Sequence, residues 1–88
     1  SYTTGADVAA MVESCDDNGE AVLYQRNKFS LGDELELLTP DGAPVKFTPE
    51  HMYNADGEEI ADTRHAMMEI HMRLPEYAPR LSIVRKCR

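Results

Sequence analysis

The chain contains no tryptophan, only two phenylalanines and two cysteines, and nine basic residues against sixteen acidic ones in a length of 88. Each shortage narrows what the protein can be. With so few aromatics, aliphatic side chains and five methionines must fill the core. The two cysteines, Cys15 and Cys87, stand far apart with no partner at metal-ligand spacing, which removes the zinc and iron–sulfur patterns. A disulfide between them requires the first and last strands to pair, and two reduced thiols are the expected state. A formal charge of -7 opposes nonspecific attraction to nucleic acid or to anionic membrane. No apolar run approaches the roughly 18 residues of a membrane span and no signal sequence opens the chain, so the cytoplasm is the expected compartment, with no membrane partner. An initiator methionine is also missing. Ser1 and Tyr2 at the front are what a segment of something longer, or an expression remnant, would show.

What is present is a succession of short alternating segments punctuated by turns. Val8 to Ser14 is mostly apolar, and Asp16-Asp17-Asn18-Gly19 reverses it into Glu20 to Arg26, where Ala21, Leu23 and Gln25 share one face and Val22 and Tyr24 the other. A polar connection carrying Phe29 and Leu31 as apolar anchors follows, and Gly32-Asp33 turns the chain into Glu34 to Leu37 with Leu35 and Leu37 inward. Pro40-Asp41-Gly42 reverses direction before Val45 to Thr48. Pro49 to Asn54 is less regular, Asp56-Gly57 marks a turn, and Glu58 to Ala66 reads as loop with one helical turn at most. Met68 to Leu74 alternates clearly, with Met68, Ile70, Met72 and Leu74 on one face and Glu69, His71 and Arg73 on the other. Pro75 and Pro79 bracket a tight connection to the last strand, Leu81 to Lys86.

Evenly spaced short strands without a long amphipathic helix predict an all-β fold, a small antiparallel β-barrel of about six or seven strands. A barrel is favoured over a sandwich because so short a chain has no second sheet to cover its apolar face, and closure removes exposed edges. Residues 1–7 read as a lead-in or linker and 8–88 as the single barrel domain. At this size only about 60 to 65 per cent of the unfolded surface is buried on folding, so the core is thin.

No set of residues able to run a reaction emerges. His51, His65 and His71 fall at no ligand spacing and read as surface residues. Asp16, Asp17, Asn18 and Glu20 lack the full length and terminal acid of a calcium loop. The pairs Glu34/Glu36 and Glu58/Glu59 read as solvated faces, since catalytic carboxylates need environments that push two pKa values apart. Ser14, Ser30 and Ser82 sit in no nucleophile elbow, Cys15 has no adjacent base, and no glycine-rich phosphate loop appears. The domain is therefore expected to hold no catalytic residue, cofactor or metal of its own. What remains is basic chemistry in two places. Arg26, Asn27 and Lys28 form a polar loop between Tyr24 and Phe29, while Arg80, Arg85 and Lys86 lie in a stretch to Arg88 that contains no acid. The loop reads either as a barrel connection with Phe29 plugging the end or as a phosphate contact with stacking aromatics. The strand reads either as a charged, pairing-resistant edge or as a contact to phosphate or an acidic surface.

The string Gln25-Arg26-Asn27-Lys28-Phe29, then Gly32-Asp33, Glu36, Pro40 and Gly42, resembles the C-terminal domain of the collagenase-like peptidases of family U-32. The likeness continues through Asp56-Gly57, Ala61 and His65 to Ile83-Val84-Arg85-Lys86, so it covers nearly the whole chain. Departures occur at Ala66, where relatives often have proline, and at Leu81-Ser82, where an acidic residue is usual before the closing strand. The resemblance implies a barrel similar to those of translation elongation factors, attached behind a larger catalytic domain of the same polypeptide. It also implies a parent that is either a protease or a protein needed for hydroxylation of transfer or ribosomal RNA. Cluster-binding cysteines of such relatives belong to the catalytic domain, and neither Cys15 nor Cys87 inherits that role. Two functions follow as expectations. One is a non-catalytic accessory barrel that packs on the catalytic domain and helps present a protein or RNA substrate. The other is an RNA-binding module using Arg26, Lys28, Arg80, Arg85 and Lys86.

Overall fold

In the computed structural model, which describes residues 8–87, Asp16 to Gly19 joins the first two strands, β1 (Val8–Cys15) and β2 (Glu20–Gln25). The Asp16 carboxylate accepts the backbone N–H groups of Asn18 (2.8 Å) and Glu20 (3.0 Å), an Asx arrangement that holds the reversal. Only Gly19 takes a positive φ, of 89°, and a Cβ there would lie 2.8 Å from the Leu74 carbonyl oxygen. The turn is thus held by one left-handed glycine, and Asn18 stays in an ordinary conformation.

Six further strands complete one sheet: β3 (Leu35–Leu38), β4 (Val45–Phe47), β5 (Met52–Tyr53), β6 (Glu59–Ile60), β7 (Glu69–Arg73) and β8 (Ile83–Lys86). All pairings are antiparallel, in the order β4-β3-β8-β1-β2-β7-β5-β6, and no described residue is helical. The sheet curls into a half-barrel, a small antiparallel barrel whose ladder ends at β4 and β6. The expected count of six or seven becomes eight because β5 and β6 are two residues each, too short for alternation to show. β6 lies within the segment read as loop. No helix of the described residues is long and apolar enough to cross a membrane. Residues 1–7, expected to form a lead-in, lie outside the described residues, as does Arg88.

The concave face is the core. Val12, Ala21, Leu23, Leu35, Leu37, Ile70, Met72 and Val84 project into it and are almost fully buried, as the alternation predicts for β3 and β7, while in β2 it is the face of Ala21, Leu23 and Gln25 that turns inward. The last strand corrects the reading that made it an edge. β8 pairs with β1 on one side and β3 on the other, and its Val84 is fully buried. The true edges are the short β4 and β6, a length that limits pairing with other chains. Antiparallel pairing of β1 and β8 also decides the disulfide. With Val8 opposite Arg85, Cys15 and Cys87 run off in opposite directions, about nine residues or roughly 30 Å apart along the sheet. Both thiols are free.

The long connection between β2 and β3 is held by a buried polar cluster. Gln25 Nε2 donates to the Thr63 carbonyl (2.7 Å) and to Thr63 Oγ1 (3.0 Å), and the Phe29 N–H donates to the same hydroxyl (3.1 Å). The Thr63 hydroxyl donates in turn to the Phe29 carbonyl (3.3 Å), which also accepts the Thr63 N–H (3.0 Å). Gln25, Phe29 and Thr63 are all at least 97% buried. Leu31 and Ser30 extend the contact through Leu31 N–H to the Ala61 carbonyl (2.8 Å) and a bridge between Ser30 and Asp62. Phe29 is thereby drawn into the core as the expected plug. Thr63→Val, which keeps the shape and deletes the hydroxyl, leaves the Phe29 N–H without that partner and removes one of the two Gln25 bonds. Its expected cost is about 2 kcal/mol, read as a lowered urea midpoint with unchanged slope.

Candidate interaction face

The six basic and polar residues singled out in the sequence do not form one patch. Five gather around the start of β1. The Arg26 N–H donates to the Ala9 carbonyl at 2.8 Å, continuing the β1–β2 ladder past Gln25. Asn27 Nδ2 donates to the Val8 carbonyl at 2.6 Å, and its N–H donates to the Ala9 carbonyl at 3.2 Å. Arg85 stands opposite Val8 from the other side, followed by Lys86. β1 therefore brings the loop and the closing strand together at one end. Arg80 is elsewhere, against Glu13 towards the far end of β1 (3.5 Å).

Acids occupy most of the positive charge. Arg85 Nε and Nη2 both reach Glu36 Oε1, at 2.8 and 2.7 Å, across the β3–β8 register, in the least exposed ion pair among the described residues. Glu36 also stands opposite Lys46, so it lies between two cations. Lys86 Nζ lies 3.6 Å from Asp33 Oδ2, and that carboxylate oxygen also accepts the Ser30 N–H at 2.9 Å. Asn27 is used in holding β1. Arg26 and Lys28 are exposed and make no side-chain ion pair among the described residues.

The histidines stay at the surface. His51 bonds Glu59 (2.8 Å), which raises its pKa, and His71 projects from β7 on the outer face beside Glu69. No three His, Cys, Asp or Glu side chains among the described residues gather in a way that could hold a metal ion. Burial, reinforced by Glu36 and Glu34, pushes the Cys87 thiol up, which is opposite to what a nucleophilic thiolate needs. A groove of about 620 Å³ opens between the β4–β5 connection and the ends of β2 and β7, lined by Phe47, His51, Tyr53 and Arg73 among others, and includes none of the six residues.

A curled, all-antiparallel eight-stranded sheet with a charged outer surface defines a small β-barrel domain. Its family follows from comparison. The chain belongs to the family described as Peptidase family U32 C-terminal domain, whose pattern matches residues 4–85. The structure is similar to the crystal structure of the C-terminal domain of a Geobacillus thermoleovorans protein assigned to the U32 peptidases, with a TM-score of 0.91, 27% identity and full coverage of both chains. The selenomethionine variant of that domain gives 0.84 at 27% identity, over 91% of this chain and 99% of that one. In sequence, the chain is similar to tRNA hydroxylation protein P of Escherichia coli (strain K12), 58% identical over 40 residues, which is 46% of this chain and 9% of that protein. It is 30% identical to tRNA hydroxylation protein P1 of Bacillus subtilis (strain 168) over 84 residues, 94% of this chain and 20% of that protein. The chain thus spans between about a tenth and a fifth of the length of these relatives.

The two kinds of ion pair are expected to differ in weight. Glu36→Gln leaves a half-buried, doubly bonded Arg85 with only a neutral amide acceptor, and the loss of the charge is expected to lower stability by about 1 kcal/mol. Glu13→Gln, at an exposed pair, is expected to stay within about 0.5 kcal/mol of wild type. Parallel urea titrations compare them directly.

Proposed function

We propose that this chain is the non-catalytic accessory barrel of a cytoplasmic U32-family protein that works in tRNA hydroxylation, and that it packs on the catalytic domain of the same polypeptide. The supporting observation is the match with tRNA hydroxylation protein P1 across 94% of this chain, but only a fifth of that relative. The remaining four fifths of such a protein is where the chemistry and any cofactor belong. The charge arrangement agrees with a packing role, because Glu13, Glu36 and Asp33 already meet Arg80, Arg85 and Lys86. A phosphate would have to displace those carboxylates, which reduces its net gain. In assays with gelatin and casein, the isolated chain is expected to produce no cleavage above a buffer blank. Turnover that persists in chelator and follows saturable kinetics would overturn the non-catalytic assignment.

A second reading, direct RNA contact, is favoured by the relatives' names and by Arg26 and Lys28, which have no acidic partner among the described residues. In that case these two residues carry the contact, and the closing strand contributes little. Titration with tRNA at two salt concentrations separates the readings. RNA contact through this loop gives binding at low salt that falls steeply with added salt and drops when Arg26→Ala and Lys28→Ala are combined. No binding at low salt removes the RNA reading and leaves the packing role.

A further inference from the structure

Two turns of this barrel share a construction that glycine normally supplies, and neither contains glycine. In the first, the Met68 N–H donates to the His65 carbonyl (3.2 Å), closing a four-residue turn with Met67 in its third position. The Met67 N–H then donates to the Gln25 carbonyl (3.1 Å), while the Gln25 N–H donates to the Met68 carbonyl (3.0 Å). Met67 and Met68 together face the single residue Gln25, a β-bulge whose first residue is left-handed. The second turn repeats the pattern. Ser82 N–H donates to the Pro79 carbonyl (3.1 Å), Leu81 N–H to the Val12 carbonyl (2.8 Å), and Val12 N–H to the Ser82 carbonyl (2.8 Å). Met67 has φ 63° and Leu81 φ 75°, and they are the non-glycine residues with positive φ among those described.

Glycine is favoured at such a position because it has no Cβ to crowd the following carbonyl. The turn from Ser30 to Asp33 shows the chain using it, with Gly32 at φ 90° in the same third position. Burial does not account for the methionine and the leucine. Met67 is 61% exposed and Leu81 58%, the two most exposed large hydrophobic residues described, and Tyr77 in the connection leading to Leu81 is 53% exposed. Two large apolar side chains thus stand in water on a left-handed backbone that disfavours them, and strained backbone of this kind clusters at sites of function.

Position in the sheet relates the two. Gln25 pairs with Ala10 and Val12 with Leu23, so the bulges flank the central β1–β2 pair from opposite sides, two residues apart along the ladder. We infer that Met67 and Leu81 are the anchors by which this barrel docks on a protein surface, and that the surface belongs to the polypeptide region preceding the barrel. The occupant rests on the packing role proposed above, since the relatives carry at least four fifths of their length outside the matched segment. The chemistry favours protein over RNA. Methionine and leucine fill apolar pockets, whereas bases stack on aromatic or arginine planes, and the chain as a whole carries a charge of -7. Arg80, held by Glu13 beside Leu81, supplies a polar rim.

The test uses the isolated chain, because the relative's isolated C-terminal domain crystallises with this fold over its full length. Met67→Gly and Leu81→Gly are each expected to raise the melting temperature of the isolated chain by a few degrees. Each is also expected to weaken association with the separately produced preceding region at least tenfold by calorimetry. With the wild-type chain labelled, the Met67 and Leu81 amide resonances are expected to shift when that region is added. Association that is intact in both variants, with those resonances unmoved, overturns the docking surface but leaves the packing role standing. If the wild-type chain does not associate at all, both fall. Lower melting temperatures in both variants mean that the side chains serve the fold, which also overturns the inference. Shifts at Met67 and Leu81 produced by tRNA and not by the protein region reassign the occupant.

Discussion

The buried hydroxyl of Thr63 is the constraint on which much of the remaining architecture depends. It accepts from Gln25 and from the Phe29 N–H and donates to the Phe29 carbonyl, so its single proton and both lone pairs are used. An eight-stranded sheet whose last three strands on one side are β7, β5 and β6 cannot shield its concave face by strands alone. Thr63 ties the loop after β6 to the loop after β2 and brings Phe29 over the core. Without it, a buried amide and a buried N–H lose partners in a region of low dielectric, where an unmet donor is costly.

Electrostatics on the convex face follow from strand order. Because β8 lies between β1 and β3, its arginine and lysine come beside the acids of β3 and of the turn before it. A stretch that is purely basic along the chain is therefore close to neutral in space. Of the basic residues singled out in the sequence, Arg26 and Lys28 in the loop at one end of β1 are the two with no ion pair among the described residues. A domain so arranged is suited to meeting protein, with charge pairs at the rim and apolar side chains as anchors, more than to gripping a phosphate backbone.

Much of the fold was legible in the sequence. The alternations of β3 and β7 identify Leu35, Leu37, Ile70 and Met72 as core, and the string from Gln25 to Gly42 points to the family that the match over residues 4–85 establishes. Two strands of two residues each were not legible, since a period of two needs at least four residues to appear. Nor was the position of the last strand. A run rich in arginine and lysine reads as an edge, and only pairing on both sides places it inside.

The candidate site divides in the same way. Asn27 appeared as surplus polarity and proves to hold β1 by a bond to Val8, while Thr63 appeared as loop and is the buried lock. Met67 carried no signal and Leu81 only a departure from the acidic residue usual before the closing strand, because left-handed backbone is announced by glycine or asparagine and here is occupied by neither. By itself the sequence determined the all-β class, the family and the inward faces of β3 and β7, since these rest on residue type and spacing along the chain. Tertiary structure alone decided which charges are cancelled, which polar groups are buried, that Cys15 and Cys87 run to opposite ends of the sheet, and which apolar side chains are left in water. Those properties depend on which strands become neighbours, and that is settled by pairing between residues as far apart in the chain as Val8 and Arg85.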